Sequence, residues 1–130
     1  MSDLIENYFK LERPDQYLCE VQRYGIGHSQ MAVYAYPPAD IGQALAIGFS
    51  DVKYFECPIF WRGANFFRKD PTEYFEFLVK LGYEEESQRL QWAGYYLFEA
   101  PMFPHREPAK EELTAHRVRI LAGSAGIVEI

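Results

Sequence analysis

The sequence predicts an α+β fold: a mainly antiparallel sheet with one well-formed helix (about 71–81) packed on it, and a short N-terminal helix. Three observations predict this. One segment carries both a helix start and a helix stop. Several short apolar runs are separated by turn residues at hairpin spacing. No regular alternation of strand and helix runs along the chain, as a parallel sheet would need. With 130 residues, 48% of them hydrophobic and 25% charged, the chain reads as a single globular domain over 1–130.

The elements follow in order. Ser2 or Asp3 caps a helix from about residue 3 to 12, with Leu4, Ile5, Tyr8, Phe9 and Leu11 on one face,. Pro14 stops it, because the residue before a proline is pushed out of the α region. Residues 17–24 fit a strand or a helical turn. The turn material Gly25-Ile26-Gly27-His28-Ser29-Gln30 and the run Met31–Tyr36 after it favour a hairpin, ended by Pro37-Pro38,. Asp40–Gln43 suits a short helical start. Leu45, Ile47 and Phe49 then alternate as a strand does, and Ser50-Asp51 turns the chain so that Val52–Phe55 pairs back. Pro58 and Gly63 punctuate the stretch that follows.

Asp70-Pro71-Thr72-Glu73 is the clearest signal: a capping Asp, proline at the first helical position and Glu in the capping-box place,. The helix runs to about Leu81, and Gly82 suits the left-handed position after its end. At 100° per residue, Phe77, Leu81, Tyr74, Leu78, Phe75 and Val79 occupy an apolar arc of about 200°, where a surface helix needs little over 100°,. Either a second element of the chain covers this helix, or Phe75 and Val79 face another protein. Leu90–Glu99 reads as an aromatic-rich central strand. Pro101, Pro104 and Pro108 stiffen a loop, Glu111–Ala115 suits a helical turn, and Arg117–Ala122 alternates base with apolar. Gly123–Gly126 turns, and Ile127–Ile130 closes the sheet.

Composition narrows the function. The formal net charge of −6 argues against binding nucleic-acid backbone, which relies on many Lys and Arg contacts. It suits a basic protein partner, though it also serves simply to keep an aromatic-rich chain in solution. The uncharged run Met31–Ala39 holds two prolines and is too short to span a bilayer, and the acidic start of the chain is unlike a signal peptide. A cytosolic protein is expected. Cys19 and Cys57 are far apart and His28, His105 and His116 are scattered, so no zinc site and no cofactor is indicated,.

The chain carries 22 aromatic residues, six of them within Tyr54–Phe67. Each hides roughly 150–250 Å² when buried, so they must build a large core, line a pocket or face a partner. The leading expectation is protein–protein binding, either to a basic partner or to a second copy. Trp61, Arg62, Phe75 and Val79 would supply the contact and Glu84, Glu85 and Glu86 the orientation. Against it stands the plainer reading of Phe60, Phe66 and Phe67 as core and of Arg62 as a solvated turn residue. The alternative is a small-molecule pocket or enzyme, with Tyr34, Tyr36, Phe60, Tyr95 and Tyr96 lining it and His28, Glu56 and His105 as polar groups. A catalytic Cys57, activated by His28 or His105, has no motif behind it. The sequence leans away from an enzyme.

Overall fold

The computed structural model describes residues 4–25, 30–103 and 117–129. Two antiparallel sheets pack face to face, and a pair of helices covers the far side of the second sheet, giving three layers. The first sheet has the order β5-β1-β2-β3-β9 and the second β4-β8-β7-β6. Their strands are β1 (Leu18–Gly25), β2 (Gln30–Tyr36), β3 (Leu45–Ser50), β4 (Tyr54–Glu56), β5 (Phe60–Arg62), β6 (Phe67–Lys69), β7 (Tyr96–Pro101), β8 (Arg117–Ala122) and β9 (Ser124–Glu129). The helices are α1 (Thr72–Lys80) and α2 (Glu84–Trp92).

Residues 17–24 take the strand alternative. Leu18 pairs with Tyr36, Cys19 with Ala35 and Val21 with Val33, with one register irregularity between Val21 and Arg23. Alternation then does the sorting. Met31, Val33 and Ala35 are buried between the sheets, whereas Tyr34 and Tyr36 lie on the opposite face. From the second sheet Phe98, Ala100, Val118, Ile120 and Ala122 enter the same core. Phe9, Phe49, Phe66 and Phe98 join there edge to face, with centroids 5.5–6.2 Å apart. Much of the aromatic supply is thus consumed as core.

Four local expectations are corrected. The short N-terminal helix expected over about 3–12 does not form among the described residues 4–12, and the first helical turn is a 3-10 turn beyond it, at Pro14–Gln16. Ahead of it Ile5 bridges Arg68, and Asn7 and Lys10 sit at left-handed φ of 45° and 55°, which no helix accommodates,. Val52–Phe55 does not return to β3. Asp51, at φ 56°, redirects the chain, Val52 is buried, and β4 pairs with β8 in the other sheet. Residues 90–99 are not one strand: 84–92 form α2, Gly94 turns at φ 75°, and β7 starts at Tyr96. The turn expected over 123–126 contracts to Gly123, whose N–H donates to the Ser50 carbonyl, and β9 begins at Ser124. The helical turn at 111–115 falls outside the described residues.

α1 begins one residue beyond the proline placed at its start, with the Thr72 hydroxyl donating to Asp70 Oδ1 at 2.9 Å. Gly82 takes the expected left-handed φ, 91°. Phe75 and Leu90, from the two helices, close over Tyr95, Leu97 and Leu121 as a second, smaller core.

Candidate functional site

The outer face of the second sheet is where chemistry and exposure meet. Reading across β6, β7, β8 and β4, one row presents Phe67, Glu99, Arg119 and Glu56, and the next presents Lys69, Leu97, Leu121 and Tyr54. The second row supplies the floor beneath the helices. The first row lies beside it and is charged.

Glu99 anchors that row. Its carboxylate is almost fully buried, accepts Arg119 Nε–H at 2.8 Å and pairs with Lys69. Burial alone would raise its pKa, but the hydrogen bonds and charges of Lys69 and Arg119 outweigh it and hold the carboxyl below the usual range,. Arg119 Nη1 lies 3.9 Å from Glu56 Oε1, and the Tyr54 hydroxyl donates to Glu56 Oε2 at 2.5 Å. That bond, followed by burial, pushes Tyr54 up to about 12.

Beside this network a cleft of about 250 Å³ is lined by Tyr54, Glu73, Tyr74, Phe77, Leu97 and Arg119. Tyr54 and Tyr74 lie 4.8 Å apart, centroid to centroid, and Tyr74 and Phe77 6.4 Å, all tilted rather than edge-on. Glu73 makes no ion pair or hydrogen bond with a side chain among the described residues.

The helical layer above is both apolar and acidic. Phe77 is 52% exposed, with Leu81 on the same flank one turn later,. Val79 is exposed on the other flank, Tyr83 in the connection, and Trp92, the last residue of α2, is 89% exposed. Residues 70–92 carry six carboxylates against Lys80 and Arg89, which makes −4 of the chain's −6. Glu84, Glu85 and Glu86 form the first turn of α2, where carboxylates complement the helix dipole.

The residues expected to bind divide accordingly. Val79 and the three glutamates are on the surface, whereas Phe75 and Trp61 are buried, and this corrects their proposed contact role. Phe75 points at the sheet because the side of the arc that carries Tyr74, Leu78 and Phe75 packs over Leu97 and Leu121, while Phe77 and Val79 at its two ends stay exposed. Trp61 is core, with its Nε1–H donated to the Gly63 carbonyl at 2.7 Å. Arg62 is half-buried in β5, away from the helices.

The expected pocket is not assembled. Tyr34, Tyr36 and Phe60 lie on the outer face of the first sheet, Tyr96 is packed between the sheets, and Glu56 belongs to the charged row. Tyr95 closes the helix-covered core and donates its hydroxyl to Asp51, and with Tyr96 it lines a depression of about 370 Å³. His28 and His105 lie outside the described residues. Burial pushes the thiols of Cys57 and Cys19 up to about 11 and about 12, so both stay protonated at neutral pH, the form that is a poor nucleophile. Among the described residues no group of three or more His, Cys, Asp or Glu is placed to hold a metal, and no helix is long and apolar enough to cross a membrane.

Sequence reasoning missed Phe77, Leu81, Tyr83 and Trp92 as exposed residues. Trp92 went unseen because Leu90–Glu99 resembles a strand. The signal available was Gly94, a helix stop, preceded by the helix formers Glu84-Glu85-Glu86 and Gln88-Arg89-Leu90-Gln91,. Comparison of the chain with protein-family models, curated proteins and solved structures finds no match.

Proposed function

We propose that this protein acts by binding a basic protein partner through its helical layer. The observation that carries the reading is the coincidence, on α1, α2 and the turn between them, of exposed large apolar side chains (Phe77, Leu81, Tyr83, Trp92) with a local net charge of −4 over residues 70–92. An apolar centre within a charged surround is the anatomy of an interface, and Trp and Tyr are among the residues that dominate such contacts. Complementary charge raises the encounter rate with a basic partner and disfavours a second acidic copy on the same face.

The cleft beside α1 suits one anchoring side chain. A lysine or arginine entering it meets the faces of Tyr74 and Phe77 and the free carboxylate of Glu73, at about 0.5–2 kcal/mol for the cation–π contact. Arg119 does not oppose this strongly, because Glu99 and Glu56 already neutralise it. The two unpaired cysteines fit a reducing, cytosolic setting,.

The test is affinity capture from a lysate with the wild-type protein and a Phe77→Ser/Trp92→Ser double variant of unchanged melting temperature. The wild type should enrich basic proteins, the variant should lose them, and capture should weaken as salt rises. Identical capture by both proteins, or capture indifferent to salt, sinks the reading.

A further inference from the structure

Sheet edges are where extended chains join a fold, since an edge strand presents unpaired N–H and C=O groups. Three of the four edges among the described residues are blunted. β5 has three residues, follows Pro58 after one intervening residue, and is bridged at Arg62 by Phe103, whose N–H donates to the Arg62 carbonyl at 2.8 Å. β6 has three residues and exchanges two backbone hydrogen bonds of 2.8 Å between Arg68 and Ile5. β4 also has three residues and is followed closely by Pro58.

β9 is different. It has six residues, pairs with β3 at six successive positions without a bulge, and contains no proline. Positions 124–128, Ser-Ala-Gly-Ile-Val, carry no charge. Val128 is 57% exposed and Ile127 45%. Among the described residues nothing lies within 4 Å of a Cβ built on Gly126. Shortness, Lys, Pro and a bulge are all absent from it, and its one charged residue, Glu129, stands at its end,.

We propose that β9 is a self-pairing edge, joining two copies of this chain antiparallel about a two-fold axis into one continuous ten-stranded sheet. Pairing centred on Gly126 sets Ala125 against Ile127 of the second copy and Ser124 against its Val128. Partners then share a face, as the two-residue side-chain period demands. Small residues at Ser124, Ala125 and Gly126 let the two backbones approach, while Ile127 and Val128 lose exposed surface. Charge favours a second copy at this edge and nowhere on the helices. Most of the net charge sits on the layer covering the far face of the other sheet, so two acidic chains meet along the uncharged stretch 124–128, with Glu129 at its end. The helical layer remains free for another partner.

Light scattering over a wide concentration range, with hydrogen exchange at low and high concentration, tests this. The mass should rise towards that of two protomers, and the β9 amides should become protected as it does. Val128→Lys and Ser124→Lys, each at an exposed edge position, should restore the protomer mass without changing the thermal melt. The Phe77→Ser/Trp92→Ser variant should dimerise normally, which separates this edge from the helical layer. A wild-type mass of one protomer at every concentration overturns the proposal. So does a dimer that persists in both lysine variants, or β9 protection conferred only by a different protein.

Discussion

Gly63 shows how a single residue position is decided by backbone alone. Its φ is 129°, and a Cβ there would lie 2.5 Å from the Pro101 carbonyl oxygen. Both the left-handed geometry and the close approach exclude any side chain. Gly63→Ala should cost about 2 kcal/mol or more, measured by urea unfolding; a cost within experimental error would mean that the β5–β6 connection is not held as described. Phe75 and Phe77 offer a second contrast. They are two residues apart on one helix, yet one is core and the other half exposed. Phe75→Ala should lose about 3–5 kcal/mol, whereas Phe77→Ala should stay within about 0.5 kcal/mol. The sequence places both on the same apolar arc and does not distinguish them. The distinction needs the sheet: Phe75 packs with Leu97 and Leu121, whereas Phe77, at one end of the arc, meets solvent and Tyr74.

At the scale of elements, β6, β7 and β8 are tied together by Glu99, which bridges Lys69 and Arg119. Its carboxyl has a folded pKa below the ordinary 4.5. Its contribution is therefore present above that ordinary value and is lost as pH falls through the depressed folded value. Glu99→Gln should cost about 2–3 kcal/mol near neutrality, at the low end for buried pairs because both cations are partly solvated. The gap between wild type and variant should close in acid. Denaturation curves from pH 7 downward check this, and a gap that widens in acid contradicts the ion-pair account. The helix pair teaches a related point. α1 was legible because its apolar arc, its proline and its terminal glycine all lie within one short window. α2 was not, because it buries only Ser87 and Leu90 and so leaves little periodic signal.

Across the whole molecule, the layering separates charge from edge. The acidic helices cover one sheet and the β9 edge, uncharged over 124–128, belongs to the other, so the two proposed associations would use separate surfaces. Trp92→Ala should leave stability within about 0.5 kcal/mol and weaken binding of a basic partner by about 2 kcal/mol. Calorimetric titration with a captured partner, beside a chemical melt, measures both; an unchanged affinity removes Trp92 from the interface. Binding should also weaken with salt, since exposed charges are screened beyond about 10 Å at 0.1 M.

By itself the sequence determined the α+β class, the strand-like run of β2 with a leaning towards a hairpin, α1 with its glycine stop, and the concentration of acid in residues 70–92. Each of these depends on residues close together in the chain: a period of two, a period of 3.6, a turn glycine, a count of carboxylates. Only the tertiary structure decided that the strands divide into two sheets, that β4 joins β8 rather than β3, and that Trp61 and Phe75 are core. It alone left Phe77 and Trp92 outside and, among the described residues, the six-residue β9 at an open sheet edge. Those outcomes rest on which distant segment lies opposite. Burial is a property of the pair of surfaces that meet, and the residues of one surface specify only half of it.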